Sequence, residues 1–125
     1  MVVKSYKDLI VWQKSVALAD AVYLFTKEFP ATEKFGLVSQ MRRAVVSISS
    51  IIAEGYERRS SRELLHFLSI AFGSAAELEV QLLFCNHQSY GNSEQQQTIN
   101  LLLMEVMKLL NAFRSSIRRR IASRP

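Results

Sequence analysis

Apolar residues return every third or fourth position along most of the chain, which is the period of an amphipathic α-helix and not of a strand. Short breaks divide the pattern into four segments, predicting helices over about residues 6–27, 37–54, 61–86 and 93–121. Ser5 and Asp8 have the spacing of a capping box for the first. Leu9, Trp12, Val16, Ala19 and Tyr23 form one stripe along it, and Ile10, Ala17, Ala21 and Leu24 an adjoining one. Together they are wider than a single core requires. Phe29-Pro30 stops the helix, because the residue before proline avoids the helical region.

The second segment opens at Gly36-Leu37, and Gly55 is expected just past its end in a left-handed conformation. Leu37, Met41, Ala44, Val45, Ile48, Ile51 and Ile52 share an arc of about 140°, the expected core face. Arg43, Ser47, Ser50 and Glu54 lie opposite, as an exposed polar face or a line of small residues that lets another helix approach. In the third segment, after Ser60-Ser61, the core arc holds Leu64, Leu65, Leu68, Ala71, Phe72, Ala75, Leu78, Leu82 and Leu83. Ile70, Val80 and Phe84 project from its other side, a second apolar surface. Tyr90-Gly91-Asn92 makes a turn, and Ser93 with Gln96 a second capping box. Ile99, Leu102, Leu103, Val106, Leu109, Leu110, Phe113 and Ile117 then recur at helical spacing. Short links favour one all-α domain spanning 1–125, an antiparallel up-down-up-down four-helix bundle with a left-handed twist. The surplus apolar surface on helices 1 and 3 implies self-association.

Composition adds little to that picture, but charge adds a great deal. The 125 residues are 49% hydrophobic and 22% charged, ordinary for a folded domain. No apolar run approaches the roughly 18 residues of a membrane span, and neither an export signal nor a pair of cysteines is visible. A cytoplasmic protein is expected. The net charge is +5. Arg114, Arg118, Arg119, Arg120 and Arg124 stand in a stretch with no acid, and setting them aside leaves 11 basic residues against 11 acidic ones. The whole excess therefore sits at the end of helix 4 and in a basic tail, 118–125. Cations suit a helix C-terminus, but five in twelve residues exceed what a cap needs.

Catalysis and cofactors are not expected. Glu63-x-x-His66 is half of a di-iron bundle pattern without its other ligands, and His87 beside Cys85 lacks partners at metal spacing. Cys85 falls on the apolar arc, where a thiol behaves as a small hydrophobe with a raised pKa. Gly73-Ser74 falls mid-helix, where glycine suits close helix packing better than a nucleophile elbow. Glu77 and Glu79 point about 160° apart on a helix and cannot form a dyad.

In an antiparallel bundle the start of helix 1, the helix 2–3 loop and the end of helix 4 share one end. Lys4, Lys7, Arg58, Arg59, Arg62, Arg114, Arg118, Arg119, Arg120 and Arg124 collect there, partly offset by Asp8, Glu54, Glu57 and Glu63. Tyr6 and Tyr56 are close enough to stack on bases or to pack locally. Such an end suits backbone-driven, weakly sequence-specific binding of RNA or DNA. The competing expectation is a protein–protein scaffold whose arginine tail keeps it soluble or meets an acidic partner.

Arg43-Ala44-Val45-Val46-Ser47-Ile48 running to Ile52-Ala53-Glu54-Gly55, together with Ser69-Ile70-Ala71-Phe72-Gly73-Ser74-Ala75-Ala76-Glu77-Leu78-Glu79, resembles a family of small bacterial four-helix-bundle proteins. Its best-known members are encoded in intervening sequences of 23S ribosomal RNA genes. Leu9-Ile10-Val11-Trp12-Gln13-Lys14, Phe29-Pro30 and Phe35-Gly36-Leu37 extend the resemblance over roughly residues 6 to 85. The resemblance implies a closed homo-oligomeric ring, a pentamer, and a structural ion pair between Glu79 and Arg42 or Arg43 at the core or subunit boundary. Ile51 stands where the family has Asn, and Glu57 where it has Gly, which weakens any transfer of contacts to residues 51–57. A more distant likeness, of architecture and basic character, is to the accessory bundles of diversity-generating reverse transcriptases. It implies a nucleic-acid enzyme as a further partner.

Overall fold

The computed structural model describes residues 2–124; Met1 and Pro125, the last residue of the expected basic tail, lie outside the described residues. Four helices carry the chain: α1 (Ile10–Thr26), α2 (Leu37–Tyr56), α3 (Ser61–Gln88) and α4 (Ser93–Ala122). No strand occurs among the described residues. Each helix packs on its two neighbours, with α1 between α2 and α4 and α3 diagonally across from α1. The Cys85 thiol meets Met41 Sδ at 3.5 Å, while Ser47 Oγ meets Ser74 Oγ at 2.9 Å. Rising along α2 therefore means descending along α3, and the two are antiparallel. Gln96 Nε2 donates to the Leu82 carbonyl at 3.1 Å, which ties the start of α4 to the last turns of α3.

The core follows the expected arcs on three of the four helices. Met41, Val45, Ile48 and Ile52 of α2, Leu68 and Leu78 of α3, and Ile99, Val106, Leu110 and Ile117 of α4 are fully buried. Each contributes about 2 kcal/mol from its removal from water. On α1 the core line is Val11, Ser15, Leu18, Val22 and Phe25, running beside the two expected stripes. Ile10, Tyr23 and Leu24 are exposed instead. Ser15 interrupts the apolar run on that line, and its hydroxyl is satisfied by the Trp12 carbonyl at 2.6 Å. Leu83, assigned to the core arc of α3, is also exposed.

The helix ends differ from expectation for local reasons. The Ser5–Asp8 capping box is present, but it caps a single 3-10 turn over Tyr6–Asp8. Leu9 is then extended, so α1 starts at Ile10 and not at Tyr6. Gly55 lies inside α2 and is buried, because a Cβ there would stand 2.7 Å from the Cβ of Phe67. It is a close-approach glycine and not a left-handed stop. The left-handed residue is Ser89 after α3, at φ 58°, which lets Tyr90 N–H donate to the Cys85 carbonyl at 2.9 Å. Asn92, not Ser93, caps α4 by accepting from Gln95 N–H at 2.9 Å. Gln96 is thereby free for its bond to Leu82.

Candidate nucleic-acid interface

The connection between α2 and α3 is only four residues long, Glu57 to Ser60, so it holds its arginines against the end of the bundle. Ser60 caps α3, its Oγ accepting from Glu63 N–H at 3.2 Å, and this sets the direction in which Arg59 and Arg62 leave the chain. The last turns of α4 arrive beside them, anchored by buried Ile117. Arg59, Arg62 and Arg124 consequently line one shallow groove of about 280 Å³, together with Ser60, Ser61 and Ile121. Arg118, Arg119 and Arg120 are exposed on the adjoining turn of α4. Steps of about 100° per residue spread the three guanidinium groups around the helix end. No carboxylate lies among the groove residues. Lys4 and Lys7 are exposed at the chain's start, and the 3-10 turn there packs on α1 and α2.

Two of the expected arginines are already engaged. Arg58 donates to Glu54 Oε2 at 2.9 Å and stacks over the Phe67 ring at 4.7 Å, so its charge is largely offset. Arg114 is half-buried, 4.8 Å over the Phe72 ring, and donates to Asn111 Oδ1 at 3.1 Å. It fastens α4 to α3 more than it faces solvent. The two tyrosines diverge little from a packing role: Tyr6 sits edge-on to Trp12 at 5.2 Å, and Tyr56 is half-buried.

The expected ion pair of Glu79 with Arg42 or Arg43 does not form within the chain. Arg42 turns toward α1, where Nε donates to Thr26 Oγ1 at 3.0 Å and a terminal nitrogen to the Tyr23 carbonyl at 3.3 Å. Its guanidinium lies 4.4 Å over the Tyr23 ring. Arg43 is exposed, and Glu79 is exposed on the α4 side of α3. The arginines and the acid therefore leave the α2–α3 pair in different directions. The ion pairs among the described residues are Lys14–Glu105 at 3.4 Å and Arg58–Glu54. Gly73 has no atom within 4 Å of where a Cβ would be, so it serves no close packing inside the bundle.

Elsewhere the chemistry is muted. Cys85 is fully buried, and burial pushes its thiol up to about 11, leaving it neutral beside Met41. Glu63 and His66 are both exposed on α3. The Tyr90 hydroxyl donates to Glu33 Oε2 at 3.2 Å, which raises its pKa and closes the α3–α4 turn over the α1–α2 turn.

A comparison with curated proteins returns no match. Among solved structures, the chain resembles a protein of unknown function from the S23 ribosomal protein family of Bacteroides thetaiotaomicron. The two are 28% identical, with a TM-score of 0.76 over 85% of this chain and 96% of that one. The model of the 23S rRNA-intervening sequence protein family matches residues 7–112, most of the bundle, and the chain belongs to that family.

Proposed function

We propose that this protein is a non-enzymatic, oligomeric bundle that binds structured RNA through its arginine-rich end. The observation that carries the reading is the convergence of Arg59, Arg62 and Arg124 in one acid-free groove beside Arg118, Arg119 and Arg120. Guanidinium groups that are exposed and have no carboxylate partner among the described residues suit phosphate, which they contact through two nitrogens at once. Nothing in the groove is shaped to read base edges, so binding is backbone-driven and weakly sequence-specific. The family's name refers to an intervening sequence of 23S rRNA, which makes RNA the first nucleic acid to test.

Assembly strengthens the same surface. Exposed Ile10 and Leu24 on α1, and Ile70, Val80 and Phe84 on α3, support self-association in a closed ring. A ring with parallel subunits places every arginine-rich end on one rim, and a multivalent rim holds a long polyanion far better than one subunit does. The competing scaffold reading draws on the same exposed apolar residues, with an acidic protein as the tail's partner.

Purified protein retaining labelled RNA at low salt and releasing it at high salt supports the RNA reading. Protein that copurifies without nucleic acid and retains no labelled RNA at low salt sinks it in favour of the scaffold.

A further inference from the structure

We propose that the outer face of α3 in one copy of this chain docks into the groove on the outer face of α2 in the next copy, with Glu77 meeting Arg43 across the contact. The inference rests on the assembly reading above and deepens it by assigning the two faces.

The first face is a seam without a partner. Ile70, Gly73, Glu77, Val80 and Phe84 follow one another at alternating steps of three and four, the average period of 3.5 at which one helix lies along another. All five are exposed, Val80 and Phe84 at 52% each. The residue at the centre of a helix pays in propensity for being glycine, and Gly73 gains no packing for it inside the chain. On an outward seam the missing side chain lets a second backbone come close. The apolar content of α3 is high enough to pass for a membrane span by length and composition, yet only 33% of its most apolar window is buried in the bundle. Glu77 and Glu79, exposed in the middle of this helix, oppose burial in lipid.

The second face is its complement. Phe35, Val46, Lys34, Arg42 and Arg43 line a groove of about 690 Å³ that crosses the outer face of α2, from Tyr23 of α1 to Ser47 beside α3, with no acid in its lining. Phe35 is 88% exposed there, a large aromatic ring left in water. Each face thus pairs apolar side chains with one sign of charge, and the signs are opposite. Glu77 has no ion-pair partner in its own chain among the described residues, and neither do Lys34 and Arg43.

Height along the bundle agrees. Met41 is level with Cys85 and Ser47 with Ser74, so the stretch of α2 carrying Arg42, Arg43 and Val46 lies level with the stretch of α3 carrying Glu77 to Phe84. Copies can therefore dock side by side and parallel, without sliding along the axis. Because the two faces differ, the contact is head-to-tail, and it closes into a ring where the rotation from copy to copy divides a full turn. Val46 and Val80 fall at its centre.

Disulfide trapping with light scattering tests the assignment. Native Cys85 is fully buried and does not interfere. Wild-type protein should elute at a multiple of 14.3 kDa. A chain carrying both Val46→Cys and Val80→Cys should oxidise to a ladder of linked multimers, while either change alone gives none. Dimers from Val80→Cys alone would mean that two α3 faces meet, and would overturn the assignment while leaving assembly intact. A monomeric wild type overturns both. Glu77→Arg should lower the mass to 14.3 kDa at unchanged helicity, and adding Arg43→Glu should restore it. Unchanged mass in the first variant, or loss of the trapped ladder when RNA is added at equal protein mass, counts against the docking and hands the groove to nucleic acid.

Discussion

Two groups of cations on this bundle carry the same charge and stand in opposite surroundings. At the arginine-rich end, Arg59, Arg62, Arg118, Arg119, Arg120 and Arg124 are exposed, and the groove they border is built mainly of other arginines and serines. In the groove on the outer face of α2, Lys34, Arg42 and Arg43 are interleaved with Tyr23, Phe35, Val38 and Val46. A solvated cation interacts well with a phosphate that keeps most of its water, whereas a cation among apolar side chains suits a partner that also brings apolar surface. The same residue type therefore points to RNA at one place and to protein at the other.

The largest effect that could break this comparison is on RNA affinity. Replacing Arg118, Arg119 and Arg120 together with Gln should reduce the slope of log affinity against log salt by about three units. Helicity and assembled mass should stay as they are, because all three side chains are exposed. Filter retention across a salt series, alongside light scattering, measures both; an unchanged slope would make these arginines a solubilising feature only.

Next in size is a contrast between neighbours. Arg42→Ala should lower unfolding stability by about 1–2 kcal/mol, since it removes two hydrogen bonds and a stacked ring contact. Arg43→Ala, exposed one residue later, should change stability of the isolated bundle by no more than about 0.5 kcal/mol. Urea melts at a concentration where subunits are dissociated separate the two, and equal losses would mean that Arg42 is not the one held by α1.

A smaller contrast applies within α4. Arg114→Ala should cost about 1 kcal/mol through lost stacking on Phe72, and should leave the salt slope of RNA binding almost unchanged. Arg118→Ala should do the reverse. A steep drop in the salt slope for Arg114→Ala would return that residue to the interface.

The smallest effect on RNA binding uses pH. Cys85 holds its proton to about 11 in the folded chain against an ordinary 9.0, so its contribution to stability is complete below about 9 and is lost as pH rises toward 11. Arginine keeps its charge throughout this window. Stability should therefore fall between those pH values, by at most about 2–3 kcal/mol, while RNA binding by the still-folded fraction persists, and Cys85→Ala should remove the extra pH dependence.

The sequence made most of this fold legible, and the exceptions have physical causes. The core faces of α2 and α4 follow directly from helical period, since polar and apolar positions are cleanly separated there. On α1 they are not: apolar residues cover more than half its circumference, and Ser15 occupies the true core line, so periodicity points to either side of it. Gly55 ends an apolar run as a stop would, but Phe67, twelve positions later in the chain, decides its role through space. Among site residues, the meeting of Arg59 and Arg62 with Arg124 follows from short links alone. The diversion of Arg42 to Tyr23 and Thr26, and of Arg114 to Phe72, could not be read that way, because it depends on which neighbouring helix each long side chain reaches. Apolar residues on the α3 outer face were legible, whereas the basic groove that complements them required Phe35 and Lys34 to be placed beside α2.

The salt dependence of RNA retention by the unaltered protein tests the central claim most directly. Titrating a labelled structured RNA between about 50 and 200 mM salt should show affinity falling steeply, by several powers of ten for a rim that engages many phosphates. Absence of retention at the low end, or an affinity that does not change with salt, would contradict an arginine-rich phosphate-binding end.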